Sequence, residues 1–125
     1  MSAPPKVGIS ADEKRNLLEI RFAGRVTAAD FDAAEAGTRA LLEKLRPGFT
    51  VLTDLTALAT MDLDCVAPLT KMMDLFKASG VRTAVRVISD PEKDIGFNIL
   101  AITHYRRGVK VITCATRAEA ERALA

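Results

Sequence analysis

The chain predicts an α/β domain with the element order ββαβαβαβα: a mostly parallel five-stranded sheet, one antiparallel edge strand and four helices. Three observations lead there. Short runs rich in β-branched residues alternate with longer runs of helical spacing, the pattern of parallel strands joined by crossover helices. The first two strand-like runs are separated only by a polar stretch, so they pair as a hairpin. Glycine and proline fall between the runs, at Gly24, Pro47-Gly48, Gly80 and Gly108, where elements are expected to stop.

Val7 to Ser10 is the first strand, followed by the polar run Ala11 to Asn16. In Leu17 to Ala23, Leu18, Ile20 and Phe22 alternate with Glu19 and Arg21, as in a half-buried strand. Thr27 and Asp30 suit a helix start, since a hydroxyl caps free N–H groups and a carboxylate favours the positive end of the helix. That helix runs to about Leu45, with Phe31, Ala34, Leu41, Leu42 and Leu45 on its apolar face, and Pro47-Gly48 stops it. Phe49 to Leu52 is too short for a helix and reads as a central strand buried on both sides. After an expected loop from Leu55 to Leu63, Val66, Leu69, Met72, Met73 and Phe76 recur at helical spacing as far as Ser79-Gly80. Pro68 must fall in the first turn of that helix, because deeper placement costs about 3 kcal/mol. Val81 to Ile88 is a further strand, and Ser89-Asp90-Pro91 opens a helix over about Glu92 to Arg107 that Gly108 ends. Val109 to Thr113 is the last strand, and Thr116-Arg117-Ala118-Glu119 is a capping box for a final helix. Spacing alone leaves open whether the helices lie on one face of the sheet or on both.

The 125 residues suit one domain, 1–125, with residues 1–6 as a loose tail. Nearly half the residues are apolar and 27% are charged, which is a folding composition rather than a disordered one. The net charge of +2 arises from interspersed signs, so the basic stripe of a nucleic-acid binder is missing. No apolar run approaches the roughly 20 residues of a membrane span, and no secretory signal is visible at the start. The expectation is a soluble, cytoplasmic protein of bacterial type with no membrane insertion. Its two cysteines, Cys65 and Cys114, are expected to be reduced.

The most informative segment is Asp54-Leu55-Thr56 through Met61-Asp62-Leu63-Asp64-Cys65. It leads from a buried strand into a helix, at the sheet edge where ligands of parallel sheets gather. With the element order, and with Gly24 to Phe31 opening the first helix in a Gly-x-Val-Thr-x-x-Asp-Phe pattern, this segment resembles the STAS domain of bacterial anti-anti-sigma factors. Met61 and Asp62 match that family's Met-Asp-Ser-Ser-Gly motif, whereas Leu63, Asp64 and Cys65 replace the two serines and the glycine. The resemblance implies a SpoIIAA-like regulatory module, an anti-sigma factor antagonist type lacking the usual phosphoserine. It implies a partner protein of the anti-sigma kinase kind, bound through Asp54, Thr56, Asp62, Asp64, Cys65, Met72, Met73 and Phe76, with Asp64 at the phosphorylation-site equivalent. A homodimer is a further expected assembly.

Other readings compete at the same residues. One of Asp62 and Asp64 caps the helix, or Asp64 stands as a fixed negative charge in the phosphoserine position. Thr56 and Thr60 offer hydroxyls for modification. Asp54, Asp62 and Asp64 lack the glycine-rich loop of a calcium site, so no metal and no cofactor are expected. Cys65 reads as a small core residue before a reactive thiol. His104 sits with Arg106 and Arg107 near a helix end, where a cation is favourable, and no nucleophile elbow accompanies it; an enzyme is not expected. The alternative function is a carrier of a small apolar or lipid-like ligand. It requires a cavity of several hundred Å3, on the order of a typical ligand site, beneath Phe76, Phe97 and Ile102.

Overall fold

A computed structural model describes residues 6–88 and 108–124. The described elements are β1 (Val7–Asp12), β2 (Leu17–Val26), α1 (Ala28–Leu42), β3 (Thr50–Met61), a single 3-10 turn (Leu63–Cys65), α2 (Val66–Ala78), β4 (Thr83–Val87), β5 (Lys110–Cys114) and α3 (Arg117–Leu124). The sheet has five strands in the order β1-β2-β3-β4-β5. β1 is antiparallel to β2, and every later pair is parallel. Three α-helices lie among the described residues rather than four. The helix expected over Glu92 to Arg107, with His104, Arg106 and Arg107, lies outside the described residues.

Strand alternation settles which face each helix covers. Leu18, Ile20 and Phe22 of β2, Val51 and Leu55 of β3, and Ala84 of β4 join Phe31 of α1 and Leu69, Met72, Met73 and Phe76 of α2 in one buried cluster. Leu17, Leu52, Val85, Val87 and Cys114 point the other way and meet Ala120 of α3. The sheet is therefore covered on both faces by described helices, as parallel sheets require. Phe22 and Phe31 fix the first helix to the sheet with ring centroids 5.6 Å apart and planes tilted by 44°.

Local chemistry explains the ends of the elements. Asp12 Oδ1 accepts the N–H groups of Lys14 and Arg15 at 3.1 and 3.2 Å, and Asn16 takes φ of +50°, which closes the β1–β2 turn. The Asn16 amide then clamps the loop after α1, donating to Arg46 O at 3.1 Å and accepting from Arg46 N–H at 2.9 Å. At the start of α1, Asp30 accepts from Thr27 N–H at 2.8 Å and from the Thr27 hydroxyl at 3.1 Å. The shorter acid thus completes the reciprocal half of a capping box. α1 ends at Leu42 rather than near Leu45, because Lys44 and Leu45 donate to Leu41 O and Leu42 O in three-residue turns, both at 3.1 Å. At α3, Thr116 Oγ1 accepts from Glu119 N–H at 3.2 Å, but Glu119 reaches past Thr116 to the Ala115 N–H at 3.1 Å. Pro68 does fall in the first turn of α2.

α2 ends in a Schellman motif: Gly80 N–H donates to Lys77 O at 3.1 Å and Val81 N–H to Phe76 O at 3.0 Å, with Gly80 at φ of +97°. Gly80 also carries the loop contact to α1, since its carbonyl accepts from Gly48 N–H at 2.7 Å. A Cβ at Gly80 would stand 3.0 Å from both Cα and Cβ of Pro47. Gly80→Ala is therefore expected to destabilise the fold by about 2 kcal/mol, combining left-handed strain with a backbone clash. Urea denaturation monitored by circular dichroism should show the lower midpoint, and an unchanged midpoint would contradict this account of the turn.

Candidate functional site

The segment expected to be a loop from Leu55 to Leu63 is instead a continuation of β3 as far as Met61. Pairing with β4 stops at Asp54 opposite Val87, while pairing with β2 continues to Met61 opposite Val26. Two irregularities make the extension: β3 uses an extra residue against β2 between the Arg21–Asp54 and Ala23–Ala57 pairs, and another between Gly24–Leu58 and Arg25–Thr60. Bulges of this kind bend and re-aim a strand, and Gly24 supplies φ of +67° beside the second. The first of them lets Leu55 and Leu58, three residues apart, both be buried, 2% and 3% exposed. A strict two-residue alternation would have put one of them in water.

The ribbon delivers its last residues to the end of β2 and locks them there. Asp62 N–H donates to Val26 O at 3.1 Å, and the Asp62 carboxylate accepts from Arg25 Nε and Nη2, each at 3.0 Å. That fork-to-fork geometry fixes both side chains. Asp62 occupies the N-cap position of the 3-10 turn, yet its side chain makes no capping bond; Arg25 has taken it. Cys65 closes the turn from below, with its N–H on Asp62 O at 3.0 Å and its thiol donating to Val26 O at 3.4 Å. The hydrogen-bonded Arg25 guanidinium holds the Asp62 carboxyl below its ordinary value, and Asp62 raises that of Arg25.

The eight residues expected at a partner site fall into three places. Asp62 and Asp64 lie on the turn, where Asp64 is exposed and Asp62 half-buried. Asp54 and Thr56 lie eight or fewer residues back along β3, on the order of 20 Å from the turn at strand rise. Asp54 points to the α3 side of the sheet and is only 6% exposed. Its Oδ1 accepts from Thr56 N–H at 2.9 Å and from the Thr56 hydroxyl at 2.7 Å, and its Oδ2 lies 3.5 Å from Arg117 and 4.0 Å from Arg21. Arg117 also bonds Glu19 and lies 3.5 Å from Glu121, so Asp54 anchors α3 rather than joining the other aspartates. Among the described residues, no three His, Cys, Asp or Glu side chains converge in a way that could hold a metal ion. Cys65, Met72, Met73 and Phe76 are buried in the core beneath α2. The void against Met72, Met73 and Phe76 is about 20 Å3, about one water. Phe97 and Ile102, which were expected to line a larger cavity, lie outside the described residues.

Four residues have roles that sequence reasoning did not assign, and Val66, expected on the apolar stripe of α2, is instead exposed at its first position. Leu63 and Val66 are the exposed large apolar side chains among the described residues, 89% and 47% accessible. The signal for Leu63 was present, an apolar residue between two aspartates. Arg25 and Arg117 had no signal, because their partners, Asp62 and Asp54, are distant in sequence and meet them only through strand register and helix docking.

Burial, then the charges of Asp64 and Asp62, pushes the Cys65 thiol up to about 11, and burial also raises that of Cys114. Both thiols are therefore protonated and shielded at pH 8, and a disulfide reagent should label neither in the native protein but both in urea; rapid native labelling of Cys65 would contradict the closed turn. Arg25→Ala should raise the Asp62 titration midpoint toward that of an ordinary aspartate, read from the carboxyl carbon by NMR. The stabilisation from this pair is present above the ordinary carboxylate range and is lost as pH falls through the depressed Asp62 value.

No family model and no curated protein matches the chain. Solved structures do. An uncharacterised protein of the DUF3478 family with a SpoIIAA-like fold, from Shewanella loihica, superposes with a TM-score of 0.72 at 13% identity, covering 100% of this chain and 99% of that one. The Bacillus cell fate determinant SpoIIAA in its phosphorylated form gives 0.63 at 15% identity, covering 95% and 99%. An anti-sigma factor antagonist from Mycobacterium paratuberculosis gives 0.58 at 17%, covering 99% and 98%. The chain thus has the SpoIIAA-like fold, as a divergent form of the STAS architecture its motifs resemble.

Proposed function

We propose that the protein is a STAS-like regulatory module that acts in the cytoplasm by binding a partner protein, in the manner of an anti-sigma factor antagonist, and not by catalysis. The observation that carries this reading is the turn at the end of the β2–β3 ribbon. It holds Leu63 and Val66 in water beside Asp64, on a backbone tied down by Arg25, Val26 and Asp62. An exposed apolar pair on a rigid support offers contact area that does not have to be ordered on binding. Its place matches the Met-Asp-Ser-Ser-Gly motif of the family the sequence resembles, and the fold is shared with proteins named as anti-sigma factor antagonists. Asp64 supplies a constant negative charge at the second serine position, so binding needs no phosphorylation step. Asp62 positions the turn, whereas Cys65, Met72, Met73 and Phe76 support it from beneath. Asp54 and Thr56 form a second polar patch on the α3 side.

No helix among the described residues is long and apolar enough to cross a membrane. Among the described residues, the void against Phe76 is about 20 Å3, far below the several hundred Å3 of a typical ligand site.

Tagged wild-type protein should capture a specific partner from cells that express it. Leu63→Asp should abolish the capture and Asp64→Ala should weaken it, both with unchanged circular dichroism. Retention of every captured protein by both variants would remove the turn from the function.

A further inference from the structure

We infer that the turn recognises a cationic amphipathic segment of the partner, its apolar side against Leu63 and Val66 and its basic flank against Asp64. This rests on the binding reading above and adds the chemistry of what is bound. The two carboxylates of the turn are not equivalent. Asp62 is consumed by Arg25, both oxygens at 3.0 Å, with Lys6 the other cation acting on it. Asp64 has a long contact from the Cys65 thiol at 3.9 Å but no ion pair within 4 Å among the described residues, and it is exposed next to Leu63 in the chain. Asp30, on the neighbouring first turn of α1, adds a third carboxylate whose field reaches Cys65 along with those of Asp64 and Asp62. The charge left over at the apolar pair is therefore negative. An acidic partner surface would be repelled, and a neutral apolar one would leave Asp64 to be desolvated without compensation. A basic flank satisfies Asp64 while the aliphatic stems of lysine or arginine extend the apolar contact.

The surface is also preorganised. Four hydrogen bonds tie the turn down: Asp62 N–H and the Cys65 thiol donate to the Val26 carbonyl, and Arg25 donates twice to the Asp62 carboxylate. The segment that binds does not have to order the turn first. Because Leu63 and Asp64 replace hydroxyl residues of the resembling motif, the contact is set by salt and apolar area and has no phosphate to gain or lose at these positions.

The test uses isotope-labelled full-length protein titrated with a designed helical peptide of leucine and lysine, and separately with its leucine–glutamate counterpart, followed by NMR amide shifts. The lysine peptide should perturb residues 62–67. Its affinity should fall roughly tenfold or more with Leu63→Asp and up to roughly fivefold with Asp64→Asn. It should also weaken as salt is raised toward about 1 M, where screening acts within about 3 Å. Equal binding of the glutamate peptide at the same residues, salt-independent binding, or perturbations confined to other surfaces would overturn the inference. Concentration-dependent shifts of residues 62–67 without peptide would overturn it too, by identifying a second copy of the chain as the occupant. If the lysine peptide fails while a captured partner is still lost with Leu63→Asp, the cationic chemistry is wrong and the docking role stands.

Discussion

The parallel pairing of β2 with β3 is the constraint on which the rest of the molecule depends. It runs from Leu17 opposite Thr50 to Val26 opposite Met61, through the sheet and beyond the end of β4. Within the sheet it aligns Leu18, Ile20 and Phe22 with Val51 and Leu55 to make the floor for α1 and α2. Beyond the sheet it carries the backbone of β3 to the end of β2, where Val26 O receives both an amide and a thiol. A slip of one residue would turn the apolar set to the wrong face and would part Arg25 from Asp62.

Two arginines, one at each end of the region first suspected of function, divide it. Arg25 pairs with Asp62 and belongs to the turn. Arg117 gathers Glu19, Asp54 and Glu121 and belongs to α3. Exposed ion pairs contribute little stability individually, about 0–1 kcal/mol, and their value here is positional. α3 buries only Ala120 fully, so its placement relies on Arg117 meeting the buried Asp54, which in turn needs the Thr56 hydroxyl and amide to satisfy its other oxygen. The Asp-Leu-Thr triplet is thus accounted for by docking of the C-terminal helix.

Burial also divides the candidate residues by role. Met72 and Met73 each lie about one helical turn before Phe76, and all three are buried in the cluster that α2 shares with the sheet and α1. Cys65 sits at the junction of turn and helix, where its small side chain lets the 3-10 turn approach Val26 closely. Leu63, Asp64 and Val66 face outward, while the core beneath sets their height and angle.

The apolar alternation of β2, the helical spacing of α1 and α2, and the glycines that stop them were determined by the sequence alone. These features depend on residues near one another in the chain, and local geometry converts them directly into strand, helix and turn. The extension of β3 was not legible, because Leu55 and Leu58 have a spacing that fits no unbroken strand and becomes regular only with the extra β3 residue between the Arg21–Asp54 and Ala23–Ala57 pairs. Nor was the difference between Asp62 and Asp64, two residues apart and alike in composition. Only the tertiary structure decided that one faces Arg25 across a strand pair and the other faces water. Pairing between strands is set by contacts distant in sequence, and such contacts leave no period for a single chain to display.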